Sequence, residues 1–385
     1  MGFGVRDAVM LALAGLVGGG AVLLAGPLDP PSGPVSSTYK TLTEVEPRVA
    51  INATNTPGDA NALYRITQPG SYYLTGNITG VSGKSGIEIA TSNGVTIDLR
   101  GFTLQGVSGS LDGIVADGSQ SLIAIHNGKI GGWSRAINLL LGEGYVLQDL
   151  VATGNIAGGI AAGTGTVIRN CELLNTLGSS PAMLVGADSI VDGCSARGNN
   201  GVGISAGFGS VLSRCVATEN AGVGIVVQGG RSVTDCAALS NQGDGIQAAE
   251  GSTIDSCSSF GNTGDGFDVT TGVQVCDCVA RQNGGHGVRA WQHCTVSGSI
   301  CSDNGTTSGS GVLVHGTGNR IERCNVVGND RGFEVTGTDN VIVQNSARNN
   351  TQGNYSIAAG NDYGQILTNP GTGFVATNPW ANFAY

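Results

Sequence analysis

Three side chains capable of acid–base work recur at one fixed step in this chain. Asp244, Asp265 and His286 each stand between two glycines, in Gly243-Asp244-Gly245, Gly264-Asp265-Gly266 and Gly285-His286-Gly287, and both steps are 21 residues. Arg320 follows within two further steps. Two carboxylates, an imidazole and a guanidinium are the parts needed to move protons and hold a developing negative charge. The plainer reading is that Asp and His decorate a solvent-facing glycine turn, where polar side chains are ordinary.

A second set emerges from strand alternation. If Phe267, Val288, Val312 and Phe333 point inward, then Asp268, Arg289, Leu313 and Glu334 point outward, followed two residues on by Thr270, Trp291, His315 and Thr336. Asp268, Arg289, Trp291, His315 and Glu334 are therefore expected to share one exposed face. An aromatic ring beside carboxylates and Arg suits a sugar ring, which offers an apolar face and hydroxyl edges. The alternative is an in-register ladder of charge pairs, with Asp268 and Arg289 compensating each other.

The elements that must position these residues come from the same period. Gly201-Val-Gly-Ile204 returns at Gly222, Gly243, Gly264 and Gly285, and each block carries Cys215, Cys236, Cys257, Cys278 or Ser299, then Asn220, Asn241, Asn262, Asn283 or Asn304. Such a fixed step signals stacked repeats. Within each block, inward pairs such as Ile204 with Ala206 and Ile225 with Val227 alternate at period two, the mark of short strands. Strands joined by turns and stacked in register predict an all-β, parallel β-helix solenoid. The asparagine column reads as structural: Asn tolerates left-handed turn conformations, and stacked amides bond along the column.

Composition narrows the class. The chain has 385 residues, 66 glycines, 12% charged residues, a net charge of −10 and a pI near 4.7. Nucleic acid is not an expected partner, since it calls for concentrated Lys and Arg. Seven of the ten cysteines share one repeat position and read as small buried core filler. No zinc spacing or dense carboxylate set for calcium is present, so no metal and no cofactor are expected.

Residues 1–26, with the uncharged run Ala8–Ala25, read as an export signal or membrane anchor, with no stable membrane insertion if cleaved. Residues 27–85 read as a leader and N-terminal cap with a helical turn around Leu42 to Glu46, 86–350 as the β-helix, and 351–385 as a C-terminal cap. Tyr363, Phe374, Trp380, Phe383 and Tyr385 are expected to cover the last coil.

The Gly-x-Gly-Ile turn, Asn ladder and small inward residues over 86–350 resemble the right-handed parallel β-helix superfamily of pectate lyases and polygalacturonases. The resemblance implies that fold and, more loosely, action on polysaccharide. Polygalacturonases carry an Asn-Thr-Asp turn, an Asp-Asp pair, a Gly-His-Gly turn and an Arg-Ile-Lys segment on successive coils. Asn262-Thr263-Gly264-Asp265, Gly285-His286-Gly287 and Arg320-Ile321-Glu322 echo three of these. Gly264 stands where the acid of the pair is needed, and Glu322 replaces the substrate-binding lysine. Asp244 and Asp265 on adjacent coils would also lie near ~4.8 Å, short of the ~6.5–9.5 Å that inverting hydrolysis needs. The expectation is an exported protein that binds polysaccharide without assured catalysis. A polysaccharide hydrolase or lyase and a cell-surface spacer are the alternatives.

Overall fold

The computed structural model describes residues 48–91, 94–305, 308–368 and 377–385. The expected export segment and the turn around Leu42 to Glu46 lie outside the described residues. All the described secondary structure is strand, and every strand-to-strand pairing is parallel, in a 14-stranded front sheet and a 28-stranded back sheet. A coil contributes one strand to the front sheet and two to the back, as Ile204–Ala206, Val211–Ser213 and Val216–Thr218 do. Pairing begins early, with Val49–Ala50 on Gly70–Tyr73 in the back sheet and Ala62–Ile66 on Ser85–Ile89 in the front sheet.

The alternation behaves as period two requires. Ile204, Ala206, Leu212 and Ala217 are fully buried, and their neighbours face outward. Each step of 21 residues brings like positions into register, so that Ile204 pairs with Ile225, Ile246 and Phe267 in turn.

The three bends share one device. A residue in the left-handed region is followed by a buried polar acceptor: Gly209 and Ser210, Arg214 and Cys215, Glu219 and Asn220. The acceptor takes the backbone N–H of its counterpart one coil back. Ser189 N–H donates to Ser210 Oγ at 3.2 Å, Cys215 N–H to Cys236 Sγ at 3.4 Å, and Asn199 N–H to Asn220 Oδ1 at 3.1 Å. Buried N–H groups at bends have no strand partner, and this arrangement satisfies them.

Two expectations change here. The left-handed residue is not Asn but the one before it, such as Glu219, Ser240 or Gln282. The asparagine instead accepts from the N–H and Nδ2 of the previous Asn and donates to the next one, as Asn220 and Asn241 do at 2.9–3.0 Å. The cysteine column is buried and all ten thiols are free. Beyond filling space, the thiols accept amide hydrogens.

The early coils are organised around Trp133, which is fully buried and donates Nε1–H to the Leu104 carbonyl at 3.1 Å. Gly80 and Gly86 admit it, since a Cβ at either would lie 2.9 or 3.0 Å from the indole ring. At the C-terminal end, Tyr355 stacks on Phe333 with centroids 5.0 Å apart. Asn382–Ala384 adds a strand to the back sheet. Tyr363, Trp380 and Tyr385 stay about half exposed, so Tyr355 covers more of the last coil than they do. Phe374 lies outside the described residues.

Candidate functional site

The outward side of the front sheet between Asp244 and Thr336 carries three columns over five coils. Asp244, Asp265, His286, Ser310 and Arg331 line the bend. Gln247, Asp268, Arg289, Leu313 and Glu334 are Cα partners down the middle of the sheet. Ala249, Thr270, Trp291, His315 and Thr336 follow on the far side. Arg320 apart, the two sets of residues distinguished in the sequence thus lie on one surface. Arg289 joins them, with Nη1 3.8 Å from Asp265 Oδ2 and its guanidinium 5.2 Å above the Trp291 ring.

The bend column is a relay of side chains accepting backbone hydrogens. Asp265 N–H donates to Asp244 Oδ1 at 2.6 Å, His286 N–H to Asp265 Oδ1 at 2.7 Å, and Ser310 N–H to His286 Nδ1 at 2.9 Å. Ser310 Oγ in turn donates to Glu334 Oε2 at 2.5 Å, and Arg331 Nη1 meets Glu334 Oε1 at 3.1 Å. Because Nδ1 of His286 accepts, a neutral ring carries its proton on Nε2 and presents a donor. Burial holds this imidazole below its ordinary pKa, partly offset by Glu334. On the other side of the sheet, Thr336 Oγ1 donates to the Val314 carbonyl at 3.2 Å while lying 3.2 Å from His315 Nδ1. His315 Nδ1–H is then the donor to Thr336, and its Nε2 is an open acceptor. The two histidines present opposite faces to a ligand.

The carboxylates differ in how far they are tied down. Asp244 uses Oδ2 to accept from Gln247 Nε2 at 2.7 Å. Asp265 is 8% exposed, and burial raises its pKa; the His286 amide opposes the shift and Asp244 reinforces it. Asp268 is also raised, by burial first, against the pull of Arg289. Its buried Oδ1 has no hydrogen-bond partner, and neither does the buried Nε of Arg289. Buried polar atoms are nearly always paired. Asp268 and Arg289 are Cα partners on adjacent coils and each is only half-buried, so the accessible remainder of the carboxylate and of the guanidinium faces outward, where hydroxyl groups can meet it. Trp291 lies beside them, 44% exposed, with the His315 ring 5.4 Å away. Glu334 is engaged by Ser310 and Arg331.

Arg320 is elsewhere. It lies in the back sheet, where Nε donates to Glu322 Oε2 at 2.7 Å; that hydrogen bond, with help from Arg323, lowers the Glu322 pKa. Two participants escaped sequence reasoning. Gln247 stands 21 residues before Asp268 at the same outward position, a signal that was available. Ser310 occupies the glycine-turn position after an insertion that stretches its distance from His286 to 24 residues, which hid it. Among the described residues, no cluster of His, Cys, Asp and Glu has the arrangement of a metal site.

Residues 112–255 match the family model described as "Right handed beta helix region". The chain folds as a right-handed parallel β-helix. Among solved structures, this β-helix is similar to the mannuronan C-5 epimerase AlgE4 A-module of Azotobacter vinelandii. The match has a TM-score of 0.54 and 13% identity, covering 71% of this chain and 90% of that one. It also resembles a periplasmic alginate epimerase AlgG double mutant (TM-score 0.47, 13% identity, 90% and 82% covered) and bacteriophage CBA120 tailspike protein 3 (TM-score 0.41, 11% identity, 97% and 72% covered). No curated protein sequence matches the chain significantly. At these identities the likeness establishes the fold and leaves the chemistry of the β-helix to its own side chains.

Proposed function

We propose that this protein binds a polysaccharide across the outward face of its front sheet, with Asp268, Arg289, Trp291, His315 and Glu334 as the contact surface. One observation carries the reading: a half-buried carboxylate and a half-buried guanidinium, Asp268 and Arg289, pair on adjacent coils, with Arg289 lying over the half-exposed indole of Trp291. Sugars satisfy such a surface, their hydroxyls both donating and accepting while their C–H faces pack on the ring. The fold shared with an epimerase of mannuronan is consistent with a polymer ligand. Export is part of the proposal and rests on the apolar run Ala8–Ala25. Affinity electrophoresis through gels containing different polysaccharides should retard the protein in at least one, with Trp291→Ala abolishing the shift. Unretarded migration in every gel, or retardation untouched by Trp291→Ala, removes the proposal.

A second reading, hydrolysis or elimination on the same polymer, is favoured by the raised pKa values of Asp265 and Asp268. A carboxyl group whose pKa is raised by burial is better suited to act as a general acid. Reducing-sugar and unsaturated-product assays should then show turnover that Asp268→Asn and Asp265→Asn each abolish; absence of turnover on a polymer that binds leaves only the binding role.

A further inference from the structure

The surface next to Asp268 on its low-numbered side is a shallow groove lined by Val226, Gln228, Gln247, Ala249, Asp268 and Thr270. Its only charge is the Asp268 carboxylate. Gln247 Nε2 is already committed to Asp244, and the cation on the flanking coil, Arg289, is drawn over Trp291 and toward Asp265. Across the whole face, Asp244, Asp265, Asp268 and Glu334 oppose only Arg289 and Arg331. Arg331 is engaged by Glu334, and Arg289 lies near Asp265 and over Trp291. The protein as a whole carries −10.

From this charge arrangement we infer that the ligand is an uncharged glycan, a polymer of neutral sugars, and that neither polyuronates nor amino-sugar polymers bind. The inference rests on the polysaccharide-binding reading of the same face. A uronate carboxylate accepts hydrogen bonds only, and in the groove it meets Asp268, another acceptor of the same sign. A hydroxyl donates to the accessible part of the Asp268 carboxylate and, one coil on, accepts from the Arg289 guanidinium or from Nε2–H of His286. An ammonium group would satisfy Asp268 but meets Arg289 on the next coil. It also finds aliphatic Val226 and Ala249, with no second free carboxylate, on the other side. The methyl groups of Val226, Ala249 and Thr270 suit the C–H face of an unsubstituted ring.

The test compares three soluble probes at 20 and 300 mM NaCl by affinity electrophoresis and calorimetry: neutral glucans and galactomannans, polygalacturonate and alginate, and chitosan. Retention by a neutral polymer, unchanged by salt and weakened at least tenfold in Asp268→Asn, is the expected result. Melting of Asp268→Asn, measured alongside, checks that the variant is folded. Salt-sensitive binding of a polyuronate that Asp268→Asn strengthens overturns the inference and leaves polysaccharide binding standing. Salt-sensitive binding of chitosan overturns it likewise. Binding of none of the three, with Trp291→Ala indistinguishable from the parent, removes both readings together.

Discussion

Ser310 donates its backbone N–H to Nδ1 of His286 at 2.9 Å, across 24 residues of chain. That bond assigns the imidazole its tautomer and removes Nδ1 from any exchange with a ligand. His315, held through Nδ1 against Thr336, is left with Nε2 open. Of the two rings, only His315 can take a proton from a bound hydroxyl without breaking a bond of the fold.

Nitrogen NMR of the histidine side chains should show His286 as the Nε2–H tautomer and His315 as Nδ1–H at neutral pH. His286 should titrate below the ordinary histidine range, because burial disfavours its charged form. A His286 signal with Nδ1 protonated would contradict the bend relay.

Asp268 should trade stability for binding. Its folded pKa lies above the unfolded value, so the folded state holds the proton more tightly. Stability is therefore fullest below the ordinary aspartate range and falls as pH rises through the folded value. Asp268→Asn should melt no lower than the parent at pH 7.5, because it removes the charge that burial disfavours. It should also lose less stability between pH 4.5 and 7.5. Melting curves at both pH values decide this, and a variant markedly less stable at pH 7.5 contradicts it.

The thiol column should tolerate Ser and resist Ala. Cys236→Ala strips the acceptor from the Cys215 N–H, leaving a buried donor unpaired at a cost of about 1–3 kcal/mol. Cys236→Ser keeps an acceptor, as Ser299 already does for Cys278 at 3.2 Å, so urea unfolding should rank Ser above Ala. Burial pushes the Cys324 thiol up to about 12 and Cys301 well above its ordinary value. A thiol reagent should find Cys276, the one half-buried cysteine, in the native protein and all ten in denaturant.

An interior asparagine should matter more than any single thiol. Asn241 accepts from Asn220 N–H and Nδ2 and donates to the Ala217 carbonyl and Asn262 Oδ1. Asn241→Ala removes all four bonds and leaves the buried Asn220 N–H without its acceptor, while Asn220 Nδ2 keeps the Ala196 carbonyl and Asn262 Oδ1 keeps the backbone N–H of residue 241; urea unfolding should register a loss on the order of 3 kcal/mol. Asn350, part-buried near the C-terminal end, should cost less when replaced by Ala.

Much of the β-helix was legible because register follows from counting. A 21-residue step puts Ile204 on Ile225 and Asp268 on Arg289 whatever the side chains do in detail. Counting also placed Asp268, Arg289, Trp291 and His315 on one face. It could not tell which side chain would fold back onto a neighbouring amide. His286 and Asp265 therefore looked free for catalysis, yet each is bonded to the next coil's backbone. Arg320 shares the face's neighbourhood in sequence but belongs to the back sheet, where Glu322 holds it. The assignment of left-handed geometry to Asn rested on residue preference; the amide's worth as a four-way hydrogen-bonding group keeps it inside the bend, and the residue before it takes the strained conformation.

Because the cysteine and asparagine bends present the same acceptors upward and the same amides downward, the coils before the Asp244–Thr336 face behave like interchangeable links at those two bends. Excising residues 201–221 would bring Asn199 under Asn241 and Cys194 under Cys236, contacts of a kind already present. Gene duplication or loss of one such unit can thus move the face around Asp268 nearer to or farther from the first described coil in strides of about 4.8 Å. The position of that face is adjustable by inheritance while its own side chains stay the same.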